Sequence, residues 1–174
     1  MEASSNIYAQ LAHADNENIA AEPVTGAVTL KEKLTSGVTA DQFLDYLLQL
    51  CDAVEFLSQQ KPPVSHNAIN ANNIIICEDD LLKLTNFEQA TSGSLTNDMR
   101  SIGELICSID AKYARKYRNI GKAGIANEFE SIDELRNEIM KCAAVRNRRV
   151  YKYLLLLLAA LLLFARVFRR FIFG

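Results

Sequence analysis

The residues able to do chemistry collect in one loop and a short segment beyond it. Positions 66–73 read His66-Asn67-Ala68-Ile69-Asn70-Ala71-Asn72-Asn73, and thirteen positions past Asn73 stand Asn86-Phe87-Glu88. A histidine can serve as a general base when a carboxylate orients it. No carboxylate partner is evident for His66, which reads more simply as a packed loop histidine. Asn70, Asn72 and Asn73 read as turn formers whose side chains bond local backbone. Glu88 with Asn73 could ligate a hard cation, against the plainer reading of a solvated loop carboxylate. Asp79 and Asp80 read as a hairpin tip and not as a catalytic dyad. Cys51, Cys77, Cys107 and Cys142 are spread singly, without Cys-x-x-Cys spacing, which favours free thiols in a reducing compartment over metal ligands.

The elements that must position this loop are written in caps and periodicity. Thr29-Leu30-Lys31-Glu32 is a capping box, and Gly37 supplies a left-handed stop for the short helix between them. Thr39-Ala40-Asp41-Gln42 repeats the box and opens a longer helix. There Phe43, Leu47, Leu50, Cys51, Val54 and Leu57 recur at spacings of three and four, until Pro62-Pro63 ends the run. Ile74 to Cys77 and Leu81 to Leu84, on either side of Glu78-Asp79-Asp80, predict a small β-hairpin. Met99, Ile102, Leu105, Ile106 and Ile109 predict a second buried helix, capped near Thr96. The stretch 110–130 is expected to form short surface helices or a loop. Ser131-Ile132-Asp133-Glu134 is a third capping box, starting a helix through Leu135 and Ile139. The first 28 residues are poorly patterned, and no internal repeat is present.

Taken in order, these features resemble the C-lobe of serine/threonine protein kinases over Phe43–Ile109. Gln49-Leu50-Cys51-Asp52-Ala53-Val54-Glu55-Phe56-Leu57 is similar to the helix before the kinase catalytic loop. Residues 66–73 are similar to His-Arg-Asp-x-Lys-x-x-Asn, Lys83-Leu84-Thr85-Asn86-Phe87 to Lys-Leu-x-Asp-Phe, and Asp98-Met99-Arg100-Ser101-Ile102-Gly103 to Asp-x-x-Ser-x-Gly. Kinases need the two aspartates of these motifs, one as catalytic base and one to hold Mg²⁺ against the phosphates. Here Ala68 replaces the base, Asn70 the phosphate-neutralising lysine, Asn86 the metal carboxylate and Glu88 the mobile glycine. Asn67 replaces the arginine that senses activation-loop phosphate. The resemblance implies that His66, Asn73, Phe87 and Asp98 keep structural roles: His66 and Phe87 packing together, Asp98 accepting backbone hydrogen bonds from the loop. Only nine residues separate Glu88 from Asp98. No Gly-x-Gly-x-x-Gly loop or Val-Ala-x-Lys strand precedes Phe43, so neither ATP nor Mg²⁺ is expected to bind, and no cofactor is implied.

Charge is divided along the chain. Residues 1–145 hold all 21 acidic side chains against 12 Lys or Arg, a net of −9, while the last 29 residues hold seven Lys or Arg and no acid. Such a basic, apolar end points to a membrane surface and away from nucleic acid. From Tyr153 to Ala165 run 13 apolar residues, including Leu154, Leu158, Leu162 and Phe164, followed by Arg166. With Arg166 snorkelling, a helix over 150–173 is expected to reach across a thinned bilayer as a C-terminal anchor. No signal peptide is recognisable at the start of the sequence, and the reducing-type cysteines place the remaining domain in the cytoplasm.

The expected fold is therefore mainly α: a truncated kinase-like C-lobe with a small β-hairpin over 29–145, preceded by the segment 1–28 and followed by an apolar helix in 146–174. The expected function is that of a catalytically inactive, membrane-anchored pseudokinase that binds a protein partner, an active kinase or another membrane protein, beside the lipid bilayer. Two alternatives stand: a phosphotransferase completed by another chain or using Asn73 and Glu88 for metal, and a structural adaptor whose kinase likeness is a relict.

Overall fold

The computed structural model describes residues 26–144, 156–158 and 160–161. The chain divides into two compact units, Met1–Ile139 and Met140–Gly174. The described part is mainly helical with a small sheet.

In the first unit, strand β1 (Val28–Thr29) leads directly into helix α1 (Leu30–Ser36). Thr29 caps α1 reciprocally: its hydroxyl accepts from the Glu32 amide at 3.2 Å, and the Glu32 carboxylate accepts the Thr29 amide at 2.8 Å. Gly37, at φ 108°, ends the helix and donates its amide to the Lys33 carbonyl. Helix α2 (Ala40–Gln59) opens on the same device at Thr39 and Gln42. Each box satisfies amides that the first helical turn leaves without intrahelical partners.

Helix α2 turns Phe43, Tyr46, Leu47, Leu50, Cys51, Ala53, Val54 and Leu57 into the core. Against that stripe lies a three-stranded antiparallel sheet, ordered β1, β3 (Ile74–Ile76), β4 (Leu82–Leu84). Ile74 pairs with Leu84 and Ile76 with Leu82, so these four side chains share one face, and all are buried. The alternation follows from the two-residue period of a strand. A second, two-stranded ladder joins β2 (Val64–Ser65) to β5 (Thr91–Ser92).

Helix α3 (Thr96–Ser108) crosses helix α4 (Arg118–Ile125) through glycine. A Cβ on Gly103 would stand 2.5 Å from the Gly121 carbonyl oxygen, and one on Gly121 would stand 2.9 Å from that of Gly103. Residues 132–144 form α5, whose Ile132, Leu135 and Ile139 complete the core. Arg136 ties α5 to α2 through Asp52, at 2.7 Å, and Glu55.

Several expectations are corrected. Helix α3 does begin at Thr96, near the expected cap, but the cap position is Leu95, which makes no side-chain cap bond, and the Ser94 hydroxyl accepts the Thr96 amide at 3.3 Å. Residues 110–130 are not merely surface, because Ala114 and Tyr117 are fully buried and Tyr117 packs its ring 6.0 Å from Phe43. In the third capping box Ser131 accepts the Glu134 amide, but the Glu134 carboxylate accepts from Glu130 instead of Ser131. Val28, assigned to the unpatterned start, pairs with Ile76.

The largest correction concerns the C-terminal apolar helix and single-pass membrane anchor. Among the described residues no helix is long and apolar enough to cross a membrane. Residues 156–158 and 160–161 are helical, with Leu156, Leu157, Leu158 and Leu161 exposed. Tyr153, Leu154, Leu162, Phe164 and Arg166 lie outside the described residues. A fold that includes a membrane-spanning helix, and a location resting on one, are not supported.

Candidate functional site

The loop 66–73 runs from β2 to β3 and is fixed from beneath by α3. Asp98, in the first turn of α3, is fully buried. Its carboxylate accepts the His66 and Asn67 amides, each at 2.7 Å, and the Ser65 hydroxyl at 3.0 Å. Both carboxyl oxygens are occupied by donors, as a buried acceptor requires. Burial pushes the Asp98 carboxyl up, opposed by the Asn67 and His66 amides and the Ser65 hydroxyl.

His66 is fully buried, its ring 4.6 Å from that of Phe87 at 60°. Nδ1 accepts the Ala68 amide at 3.2 Å, which leaves Nε2 to donate to the Thr85 carbonyl at 2.9 Å. Burial lowers its proton affinity, opposed by Asp98 and the Thr85 carbonyl. Both nitrogens of a neutral ring are engaged, so His66 has no lone pair to offer a substrate.

The asparagines bond to one another and to the loop. Asn70 Oδ1 accepts the amides of Asn72 and Asn73, while its Nδ2 donates to the Ala68 carbonyl at 2.9 Å. Asn73 Nδ2 donates to the same carbonyl at 2.8 Å, and the Asn73 carbonyl accepts both the amide and hydroxyl of Thr85. Asn86 sits at φ 62°, a left-handed conformation asparagine tolerates, and its Nδ2 reaches Asn73 Oδ1 at 3.4 Å. The oxygen that Asn73 could present to a cation thus meets an amide hydrogen. Glu88 is exposed on the short 3₁₀ turn Phe87–Gln89. Among the described residues no group of three His, Cys, Asp or Glu side chains is placed to hold a metal ion.

The fold brings His66, Ala68, Asn70, Asn73, Asn86, Phe87 and Asp98 into one hydrogen-bonded neighbourhood and leaves Glu88 on its outer edge. Sequence reasoning missed Ser65, Thr85 and Asn97, which contribute to this network, and read Asn67 only as a lost arginine. The available signal was the asparagine itself, frequent where φ is positive; Asn67 lies at φ 60°. A shallow groove beside the loop is lined by Lys31, Thr35, Asn72, Asp110 and Tyr113, and none of His66, Ala68, Asn73 or Asn86 lines it.

No protein-family model matches the chain. Over 47 residues it is 38% identical to a serine/threonine-protein kinase of Caenorhabditis elegans, flr-4, a match that takes in 27% of this chain and 8% of that kinase. The likeness to kinases is weak and partial. The chain spans less than a tenth of the relative's length.

Proposed function

We propose that this chain is a catalytically inactive, kinase-like module that works by binding a protein partner, with a protein kinase the first class to seek. The observation that carries the reading is the asparagine network. Ala68 has no side chain to accept a proton, and Asn86 presents an amide donor to Asn73 Oδ1, where phosphoryl transfer needs a carboxylate and Mg²⁺. Asn70 turns its amide back onto the Ala68 carbonyl, where a lysine would reach phosphate. A loop whose polar groups are spent on its own backbone is suited to holding shape. The residues present do not suit a magnesium nucleotide, and none is expected to bind.

The test is direct. Full-length protein with ATP and Mg²⁺ is expected to transfer no label and to shift its unfolding midpoint by less than about 1 °C, because a ligand that does not bind the native state cannot stabilise it. A saturable, Mg²⁺-dependent rise of several degrees, or label transfer that survives repurification, overturns the inactive reading. Cross-linking in native cells is expected to recover a specific protein partner, and recovery of none overturns the binding role.

A further inference from the structure

We infer that Asn67 is a side-chain clasp that holds the mostly exposed strap Gln89–Asn97 closed over the loop through neutral side-chain contacts. The strap needs such a device. Between the 3₁₀ turn that ends at Gln89 and the helix that begins at Thr96, its regular structure is β5, two exposed residues long, and a two-residue ladder is too short to be stable alone.

Asn67 touches the strap near both ends. Its Nδ2 donates to Thr91 Oγ1 at 2.9 Å and to the Gln89 carbonyl at 3.2 Å, with a longer contact to the Ser65 carbonyl at 3.3 Å. Its Oδ1 accepts from Asn97 Nδ2 at 3.2 Å. One amide therefore joins the beginning of the strap to its end, closing a nine-residue loop. The clasp is anchored to the core because the Asn67 amide donates to buried Asp98. Its left-handed backbone, at φ 60°, suits asparagine, which combines tolerance of that region with a planar group offering donors on one side and an acceptor on the other. The Gly93 amide adds one backbone bond, to the Pro63 carbonyl at 3.1 Å. The strap is thereby set by neutral hydrogen bonds and requires no phosphate to order it.

Hydrogen exchange followed by mass spectrometry on the full chain tests the clasp. Asn67→Gly keeps the backbone conformation and deletes the amide. It is expected to speed exchange of 89–93 by about tenfold or more relative to 74–84, since each lost hydrogen bond is worth about 1 kcal/mol. Unchanged exchange, or acceleration that is equal in 89–93 and 74–84, overturns the inference. Should Asn67→Gly fail to fold, Thr91→Val and Asn97→Ala each remove one arm of the clasp at an exposed position. Both are expected to speed strap exchange by a smaller factor, and wild-type rates in both overturn it.

Discussion

At the scale of single residues, the site is governed by which polar atoms have partners. Asp98 is the acceptor for two main-chain amides and one hydroxyl beneath the loop. Asp98→Ala orphans those donors in a buried setting and is expected to lower unfolding free energy by roughly 3 kcal/mol or more, read from urea denaturation. Asp80 is a second such centre. It lies at φ 62° in the hairpin tip, and accepts from Lys33 at 2.8 Å, Gln42 at 3.0 Å and Tyr46 at 2.8 Å. The Lys33 hydrogen bond, followed by those of Gln42 and Tyr46, pulls its carboxyl down to about 2. Tyr46, by burial and by the same bond, is pushed up. Carbon-detected NMR is expected to show the Asp80 carboxyl titrating well below the ordinary aspartate value of 3.8, and Lys33→Met to move the midpoint back toward it.

At the scale of elements, glycine and caps decide how closely helices approach and where they start. Gly103, Gly121 and Gly124 let α3 and α4 meet backbone to backbone: a Cβ on Gly124 would lie 3.2 Å from the Met99 carbonyl, and one on Gly121 2.8 Å from Cys107 Sγ. Gly103→Ala places a methyl 2.5 Å from a carbonyl oxygen. Because backbone must move to admit it, the substitution is expected to cost about 1–3 kcal/mol, visible as a lower denaturation midpoint. Thr39→Ala removes the cap of α2 and is expected to cost about 1 kcal/mol. The caps of α1 and α2 and the stripe of α2 were legible in the sequence because each depends on residues three or four positions apart. The start of α3 near Thr96 was legible too, but not what satisfies its first amides. Ser94 takes the Thr96 amide from outside the helix, and Asp98 turns its carboxylate to the loop instead of to its own helix end.

At the scale of the molecule, stability against acid reflects two different groups. A histidine in the unfolded chain takes a proton near pH 6.5, whereas burial depresses the proton affinity of His66 in the fold. The unfolded state then binds more protons, so stability falls as pH drops below about 6.5. Asp98, raised by burial, opposes that trend, because the fold takes its proton first. Asp80 acts lower down: its contribution is complete above 3.8 and is lost as pH falls toward about 2. Denaturant midpoints between pH 7.5 and 2 are expected to decline, and His66→Gln to flatten the section just below 6.5. The sequence-based expectation of a membrane helix is corrected at this same scale, since among the described residues no helix is long and apolar enough to cross a bilayer.

The sequence by itself determined the local devices: two reciprocal caps, the apolar stripe of α2, the hairpin with Asp79 and Asp80 at its tip, and the residues standing at motif positions in the loop. These follow from backbone preference and period, which act over a few residues. Only the tertiary structure decided what the polar side chains are for. Asn67 meets Gln89, Thr91 and Asn97, and Asp80 meets Lys33, Gln42 and Tyr46. A hydrogen bond needs its partners within about 3 Å, and no local pattern brings together residues that lie tens of positions apart.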